Sequence, residues 1–167
     1  MNDYVKPLVD YVSIIDALEK VTRYNWERWG NTQHRGDPAW VVRDCKTIGL
    51  YVGRQCGLSQ GALKWIAKHP NKCILITKDS YLKLALANDY LKNTGRERVD
   101  YTQLVPSASG TIEKWNAQLS DEEKLNTRYV IVDDAQFTVG AGYVKRAEFN
   151  KWVAETFHPD TFVILIK

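Results

Sequence analysis

Short apolar runs alternate along the chain with longer segments in which apolar residues recur at helical spacing. The apolar runs predict strands at 47–52, 73–77, 99–105, 128–132 and 161–166. The periodic segments predict helices at 7–29, 59–69, 80–92, 111–119 and 144–157, with the acidic 120–126 continuing or fraying the fourth. Glycines and a proline predict a loop over 30–40. Because strands and helices alternate, we expect an α/β fold with a mostly parallel sheet and helices on both faces.

The length of 167 residues fits a single domain, with an N-terminal helix and loop over 1–44 and a core over 45–167. No apolar run approaches the roughly 20 residues that span a bilayer, and the N-terminus lacks the pattern of a secretion signal. Cys45, Cys56 and Cys73 are odd in number and lack metal-ligand spacing, so they are interpreted as reduced thiols. We therefore expect a cytoplasmic protein that does not enter a membrane.

The positive charge of the chain is concentrated in its middle. Residues 51–100 carry nine lysines and arginines against four acidic residues, whereas the net charge of the whole chain is only +3. Such a region suits the phosphates of a nucleotide or of a nucleic acid. A solvated helix face with lysines for solubility is the alternative.

The segment Gly53-Arg54-Gln55-Cys56-Gly57-Leu58-Ser59 lies between a predicted strand and a predicted helix. Glycines at such a junction let successive backbone N–H groups converge on an anion at the helix N-terminus, and a serine or threonine hydroxyl there can bind a metal ion. The pattern predicts a phosphate-binding loop with Ser59 as the metal-binding hydroxyl. A tight turn followed by a helix cap is the alternative.

Two adjacent aspartates, Asp133 and Asp134, follow the predicted strand 128–132. Nucleotide-hydrolysing α/β folds place the carboxylates that hold the metal and orient water at the carboxyl end of a buried strand. The alternative is that these aspartates start a turn or cap the next element.

Taken together, the loop and the acidic segment Val132-Asp133-Asp134-Ala135-Gln136-Phe137 resemble the phosphate loop and acidic box of phage large-terminase and related helicase-like ATPases. The resemblance covers about residues 45–167 and implies a P-loop NTPase core that uses Mg-ATP. It implies that Ser59 and Asp133 hold magnesium and that Asp134 orients the attacking water as the catalytic carboxylate. It also implies a nucleotide-binding role for further residues, namely Gly53, Arg54, Gln55 and Gly57. A phage protein of this kind would work in the cytoplasm of a bacterial host.

The sequence departs from that family at three points. Leu58 replaces the lysine that neutralises charge on the phosphates, and Asp134 replaces a longer glutamate. The core also lacks the last strand of the family, because the sequence stops after the strand expected beside the acidic one. Lys78, at the end of the second predicted strand, is the candidate for a substitute lysine, and a surface lysine that starts a loop is the alternative.

Aromatic and basic residues also mix near the end of the first predicted helix, at Arg23, Trp26, Arg28 and Trp29. Such a mixture can stack on bases or anchor a protein partner. Alternatively, the two tryptophans cover the core.

The function expected from these features is that of a degenerate, pseudo-ATPase phage protein that binds a protein partner of the DNA- or RNA-processing machinery. One alternative is an active Mg-ATP-dependent NTPase that uses Lys78. The other is direct DNA binding through the basic region 51–100.

Overall fold

The computed structural model describes residues 9–30, 37–52, 57–77, 88, 91–92, 95, 102–106, 111–140 and 144–167. Within these residues the strands are β1 (Thr47–Leu50), β2 (Cys73–Thr77), β3 (Thr102–Pro106), β4 (Tyr129–Val132) and β5 (Phe162–Ile166). They form one sheet in the order β1-β5-β4-β2-β3, and every neighbouring pair is parallel. The predicted α/β fold with a parallel sheet is therefore confirmed.

The helices of the described residues are α1 (Tyr11–Asn25), α2 (Pro38–Cys45), α3 (Leu58–Ala67), α4 (Ile112–Ala117), α5 (Asp121–Asn126), α6 (Ala135–Thr138) and α7 (Arg146–Thr156). A π-helical turn, Trp26–Gly30, extends α1. None of the helices in this part of the chain combines the length and the apolar composition that crossing a membrane requires.

Helices cover both faces of the sheet. As a result, β2, β4 and β5 are buried on both sides. On one face α1 and α3 pack together, with Ile15, Trp65 and Ile66 against alternate residues of the strands. On the other face α2 packs on α7, and Phe149 and Trp152 cover the remaining strand residues. Strands that are apolar at successive positions follow from this double burial.

The predicted loop over 30–40 is wrong at its end, because α2 begins at Pro38. The Asp37 carboxylate accepts a hydrogen bond from the Ala39 N–H over 2.9 Å and so caps the helix. Proline is favourable at the first helical position, because the backbone N–H that it lacks would have no partner within the helix. An aspartate followed by a proline is therefore a helix start that the glycines nearby obscured.

The prediction that the acidic segment 120–126 continues or frays the helix before it is wrong, because the segment begins a new helix. The Ser120 hydroxyl accepts a hydrogen bond from the Glu123 N–H, and the Glu123 carboxylate accepts one from the Ser120 N–H. This reciprocal capping box starts α5. The predicted helix 80–92 falls outside the described residues except at positions 88, 91 and 92. Residues 99–101 of the predicted third strand fall wholly outside them.

Of the three cysteines, Cys45 and Cys73 are free thiols, and Cys56 lies outside the described residues. Burial raises the pKa of the Cys73 thiol well above its ordinary value. Cys73 is therefore a small apolar residue of the core rather than a reactive nucleophile.

Candidate functional site

The candidate site lies at the carboxyl edge of the sheet, where β1, β5 and β4 end side by side. The register pairs Leu50 of β1 with Ile166 of β5, and Leu165 of β5 with Val132 of β4. Since β5 separates the other two strands, the segment that leaves β1 and the aspartates that follow β4 are two strand spacings apart, or about 10 Å. A helix that starts at this edge can bridge them.

Gly57 precedes that helix, α3, as its N-cap residue. Its backbone has φ +82°, the left-handed region that glycine adopts without strain. No side chain among the described residues caps the start of α3. The first turn therefore presents backbone N–H groups at the sheet edge, the arrangement in which a helix N-terminus attracts an anion.

Ser59, in the first turn of α3, contacts Asp133 at the end of β4. The serine Oγ donates a hydrogen bond to Asp133 Oδ1 over 3.0 Å, although the two residues are 74 positions apart in the chain. Two neighbouring oxygen ligands of an octahedral magnesium ion, each about 2.1 Å from the metal, lie roughly 3.0 Å apart. The structure thus brings together the two side chains that the sequence suggested as metal ligands, at a separation that fits one magnesium ion.

Asp133 is a buried carboxyl group, with a residue exposure of 7%. Burial raises its pKa, and hydrogen bonds from the Ser59 hydroxyl and the Asp134 N–H oppose that rise. A buried carboxylate without a neighbouring cation is costly, so a bound divalent ion would favour the ionised form. The electrostatics of Asp133 therefore suit a cation, whereas the start of α3 suits an anion.

Asp134 has a left-handed backbone, with φ 52° and ψ 47°, and caps α6 by its position. Aspartate tolerates this conformation better than most residues, and strained backbone of this kind concentrates at functional sites. The side chain is half-buried beside Asp133.

Leu58, which stands where the phosphate-loop lysine was expected, is part of the core. It is the first residue of α3, is only 4% exposed and belongs to the apolar cluster between α1, α3 and the sheet. Position 58 therefore contributes packing where a lysine would contribute charge.

The mixed aromatic and basic cluster lies at the opposite edge of the sheet. Arg23 forms an ion pair with Glu19 over 2.6 Å and lies 4.5 Å from the centroid of the Phe162 ring. Its guanidinium also donates to the hydroxyl of Tyr129 over 3.4 Å. Since Tyr129 and Phe162 are the first residues of β4 and β5, Arg23 packs against the amino edge of the sheet.

Trp26 is half-buried, and its ring lies 3.9 Å from Lys46 Nζ. Lys46 is itself buried and donates to the Pro159 carbonyl. Arg28 is exposed and donates to the Tyr24 hydroxyl. Arg23 and Trp26 therefore have partners within the chain, and for Trp26 this favours the alternative that it covers the core.

The remaining candidate residues lie outside what the structure describes. These are Gly53, Arg54, Gln55, Lys78 and the side chain of Trp29. Their suggested roles stay predictions.

Three further residues lie at the carboxyl edge, namely Tyr51, Arg146 and Lys167. The sequence analysis did not single them out. Tyr51 follows β1, Lys167 follows β5, and Arg146 begins α7. The signal that could have found Lys167 is its place directly after an apolar strand, because all parallel strands end at the edge where ligands bind.

No group of three or more histidine, cysteine, aspartate or glutamate residues within the described ranges is arranged to hold a metal ion. In comparisons with known proteins, no family model matches the chain and no curated protein is found to be similar to it. The resemblance to helicase-like ATPases therefore depends on the motifs alone.

Proposed function

We propose that this protein is a degenerate P-loop-type domain that binds a magnesium nucleotide weakly and has little or no hydrolytic activity. The observation that carries the proposal is the 3.0 Å contact between Ser59 Oγ and Asp133 Oδ1 at the carboxyl edge of a parallel sheet. The start of α3 would bind phosphate through its backbone N–H groups. Ser59 and Asp133 would hold the magnesium ion.

The donor set supports a nucleotide rather than a metal ion alone. Magnesium is usually bound by one or two carboxylates together with substrate phosphates and water. Among the described residues the site offers one hydroxyl and the carboxylates of Asp133 and Asp134, and no larger cluster. The ion would therefore depend on phosphate oxygens to complete its coordination, so metal and nucleotide should bind together.

Weak hydrolysis follows from the side chain at position 58. Removing one preorganised electrostatic group from an active site typically slows the reaction about 100- to 1,000-fold. Because position 58 is a leucine packed into the core, it supplies no positive charge to stabilise the phosphates. Asp134 could still orient a water molecule, but the transition state would lack a main source of positive charge.

Thermal unfolding tests the binding part of this proposal. The wild-type protein is heated alone, with magnesium, with ATP, and with both. A nucleotide at ten times its Kd adds about 1.4 kcal/mol to the free energy of unfolding, which raises Tm by about 3–6 °C for a chain of this size. We expect that rise only when magnesium and ATP are present together.

Two variants and one control make the test specific. Asp133→Asn and Ser59→Ala should abolish the shift, whereas Asp121→Asn, which changes an exposed acid on α5, should keep it. An unchanged wild-type Tm at millimolar Mg-ATP would contradict nucleotide binding. Phosphate release in the same samples should stay at background. Turnover that Lys78→Ala abolishes would instead support the active NTPase.

We also propose that the domain acts on a protein of the DNA- or RNA-processing machinery, as a phage protein would in its host. Only the resemblance to helicase-like ATPases supports this part. The test is retention of proteins from a nuclease-treated bacterial lysate on immobilised wild type and on Asp133→Asn. Retention of DNA that falls steeply with salt would point to direct DNA binding instead.

A further inference from the structure

Strand β1 forms one edge of the sheet, and within the described residues its outer side has no partner strand. Toward β5, the Leu50 carbonyl accepts a hydrogen bond from the Lys167 N–H over 3.0 Å, and the Val52 N–H donates to the Lys167 carbonyl over 3.4 Å. In a parallel ladder the residues in between direct their N–H and C=O groups to the opposite side. The backbone groups of Gly49 and Tyr51 therefore point away from β5, and no described residue forms a hydrogen bond with them.

The sequence of β1 does not protect this edge from pairing with another chain. Edge strands usually carry charged residues or a proline that prevent such pairing. Residues 47–52 include neither, Gly49 is exposed, and the Tyr51 side chain is 61% exposed. Strand β3, at the other edge of the described sheet, ends at Pro106, which has no N–H to donate. Of these two edges, β1 is the one that is open to a further strand.

The outer edge of β1 is complementary to itself. Two antiparallel copies of β1 that meet at Gly49 would exchange hydrogen bonds at this residue, and Tyr51 of each copy would pair with Thr47 of the other. Because the strand has no charged residue, no like charges would face each other. The Tyr51 ring lies over Gly49, since a Cβ atom at Gly49 would be 2.8 Å from Tyr51 Cε2. The two tyrosine rings would thus meet across the axis at about 5–6 Å, which is the spacing of an aromatic pair.

Exposed apolar side chains are concentrated on the elements around β1. Val21 and Tyr24 on α1 and Trp40 on α2 are each more than half exposed. Both helices pack against β1, α1 on one face of the sheet and α2 on the other. Tyrosine and tryptophan are enriched in protein interfaces. A stable interface buries about 1,200–2,000 Å², more than one pair of short strands provides, and these helices offer the additional apolar area.

We propose that two copies of this protein form a symmetric dimer through antiparallel pairing of β1, which joins their sheets into one. A two-fold axis at Gly49 gives a closed assembly, whereas pairing of β1 with β3 of another copy would leave edges free for further addition. The dimer brings α1 beside α1 of the second copy on one face and α2 beside α2 on the other. Ser59 and Asp133 take no part in this interface, so the dimer does not depend on the proposed function.

Since Gly49 lies on the proposed axis, a charge placed at this position faces its own copy. Gly49→Lys and Gly49→Glu should each raise the Kd of the dimer about 100-fold, because like charges that face each other across an interface repel. An equimolar mixture of the two variants should associate again, because lysine then faces glutamate. Gly49→Ala is the matched control and should remain dimeric, since it adds the same Cβ atom beside the Tyr51 ring without a charge.

Sedimentation velocity over a range of micromolar concentrations measures the association. The wild type should have twice the 19.2 kDa mass of the chain. Leu125→Lys, which changes an exposed apolar residue of α5, should leave the dimer intact. Thermal unfolding identifies any variant that has lost its fold. Amide hydrogen exchange locates the interface, because the Tyr51 N–H should exchange slowly in the wild-type dimer and about 100-fold faster in Gly49→Lys.

The results that would overturn the proposal are distinct. A wild type that stays monomeric at the highest concentration refutes the dimer, even if it binds another protein or a nucleic acid. A wild-type dimer that Gly49→Lys leaves intact, or in which the Tyr51 N–H exchanges rapidly, uses a different surface. Failure of the two charged variants to associate when mixed refutes pairing at Gly49.

Discussion

Replacing Leu58 by lysine returns the missing charge to the candidate site, and the structure predicts that the substitution has a cost. Leu58 is 4% exposed within the core beneath α1 and α3. Burial of a leucine side chain contributes about 1.5–3 kcal/mol. A lysine keeps part of that packing through its stem, but its ammonium group must leave the core to be solvated. We expect Leu58→Lys to lower the free energy of unfolding by about 2 kcal/mol, or Tm by about 4–8 °C.

Binding of Mg-ATP should restore part of the stability that Leu58→Lys loses. Leu58 is the first residue of α3, so an ammonium group that leaves the core emerges at the helix start, where the anion is proposed to bind. A tenfold gain in affinity corresponds to about 1.4 kcal/mol. At a saturating concentration of Mg-ATP, the variant should therefore gain about 3–6 °C more in Tm than the wild type does.

Thermal unfolding with and without Mg-ATP measures both effects, and Leu58→Met is the matched control. Methionine keeps an apolar side chain of similar volume, so it should cost less than about 1.5 kcal/mol and show no extra response to nucleotide. A Leu58→Lys protein as stable as wild type would refute the assignment of this position to the core. A destabilised variant with no additional response to Mg-ATP would refute the proposal that phosphate binds at the start of α3.

Three further predictions concern buried polar groups. Trp65→Phe should cost about 1–2 kcal/mol more than Trp115→Phe in urea denaturation, because the Trp65 indole N–H donates to Asp16 over 2.5 Å, whereas that of Trp115 has no partner among the described residues. Burial lowers the pKa of Lys46, so wild type should gain stability relative to Lys46→Met as pH rises toward about 10.4 and show a constant difference at lower pH. Asp133→Asn should raise the ligand-free Tm at neutral pH, because burial raises the pKa of Asp133, and this advantage should vanish below about pH 3.9.

The sheet was predictable because its strands carry an unambiguous signal. Residues 73–77, 129–132 and 162–166 are apolar at nearly every position, as strands covered on both faces must be. The strand order was not predictable, since it depends on which helices cross the sheet and not on the strands themselves. Helix α2 was missed because the glycines before it outweighed the Asp37-Pro38 start signal.

Part of the candidate site was also predictable. Ser59 and Asp133 were suggested from two separate motifs, and the structure brings them into contact. The burial of Leu58 was not foreseen, because a leucine at the start of a helix faces the core only if the sheet lies beneath it.

The position of β5 also bears on how the described strands assemble into the sheet. β5 is the last described strand to leave the ribosome, yet it lies inside the sheet, between β1 and β4. Until it inserts, the nascent chain has two open apolar strand edges, which are prone to pair with other chains. Since β1 joins β4 only through β5, the segment that leaves β1 is held at the sheet edge beside Asp133 only once β5 is in place.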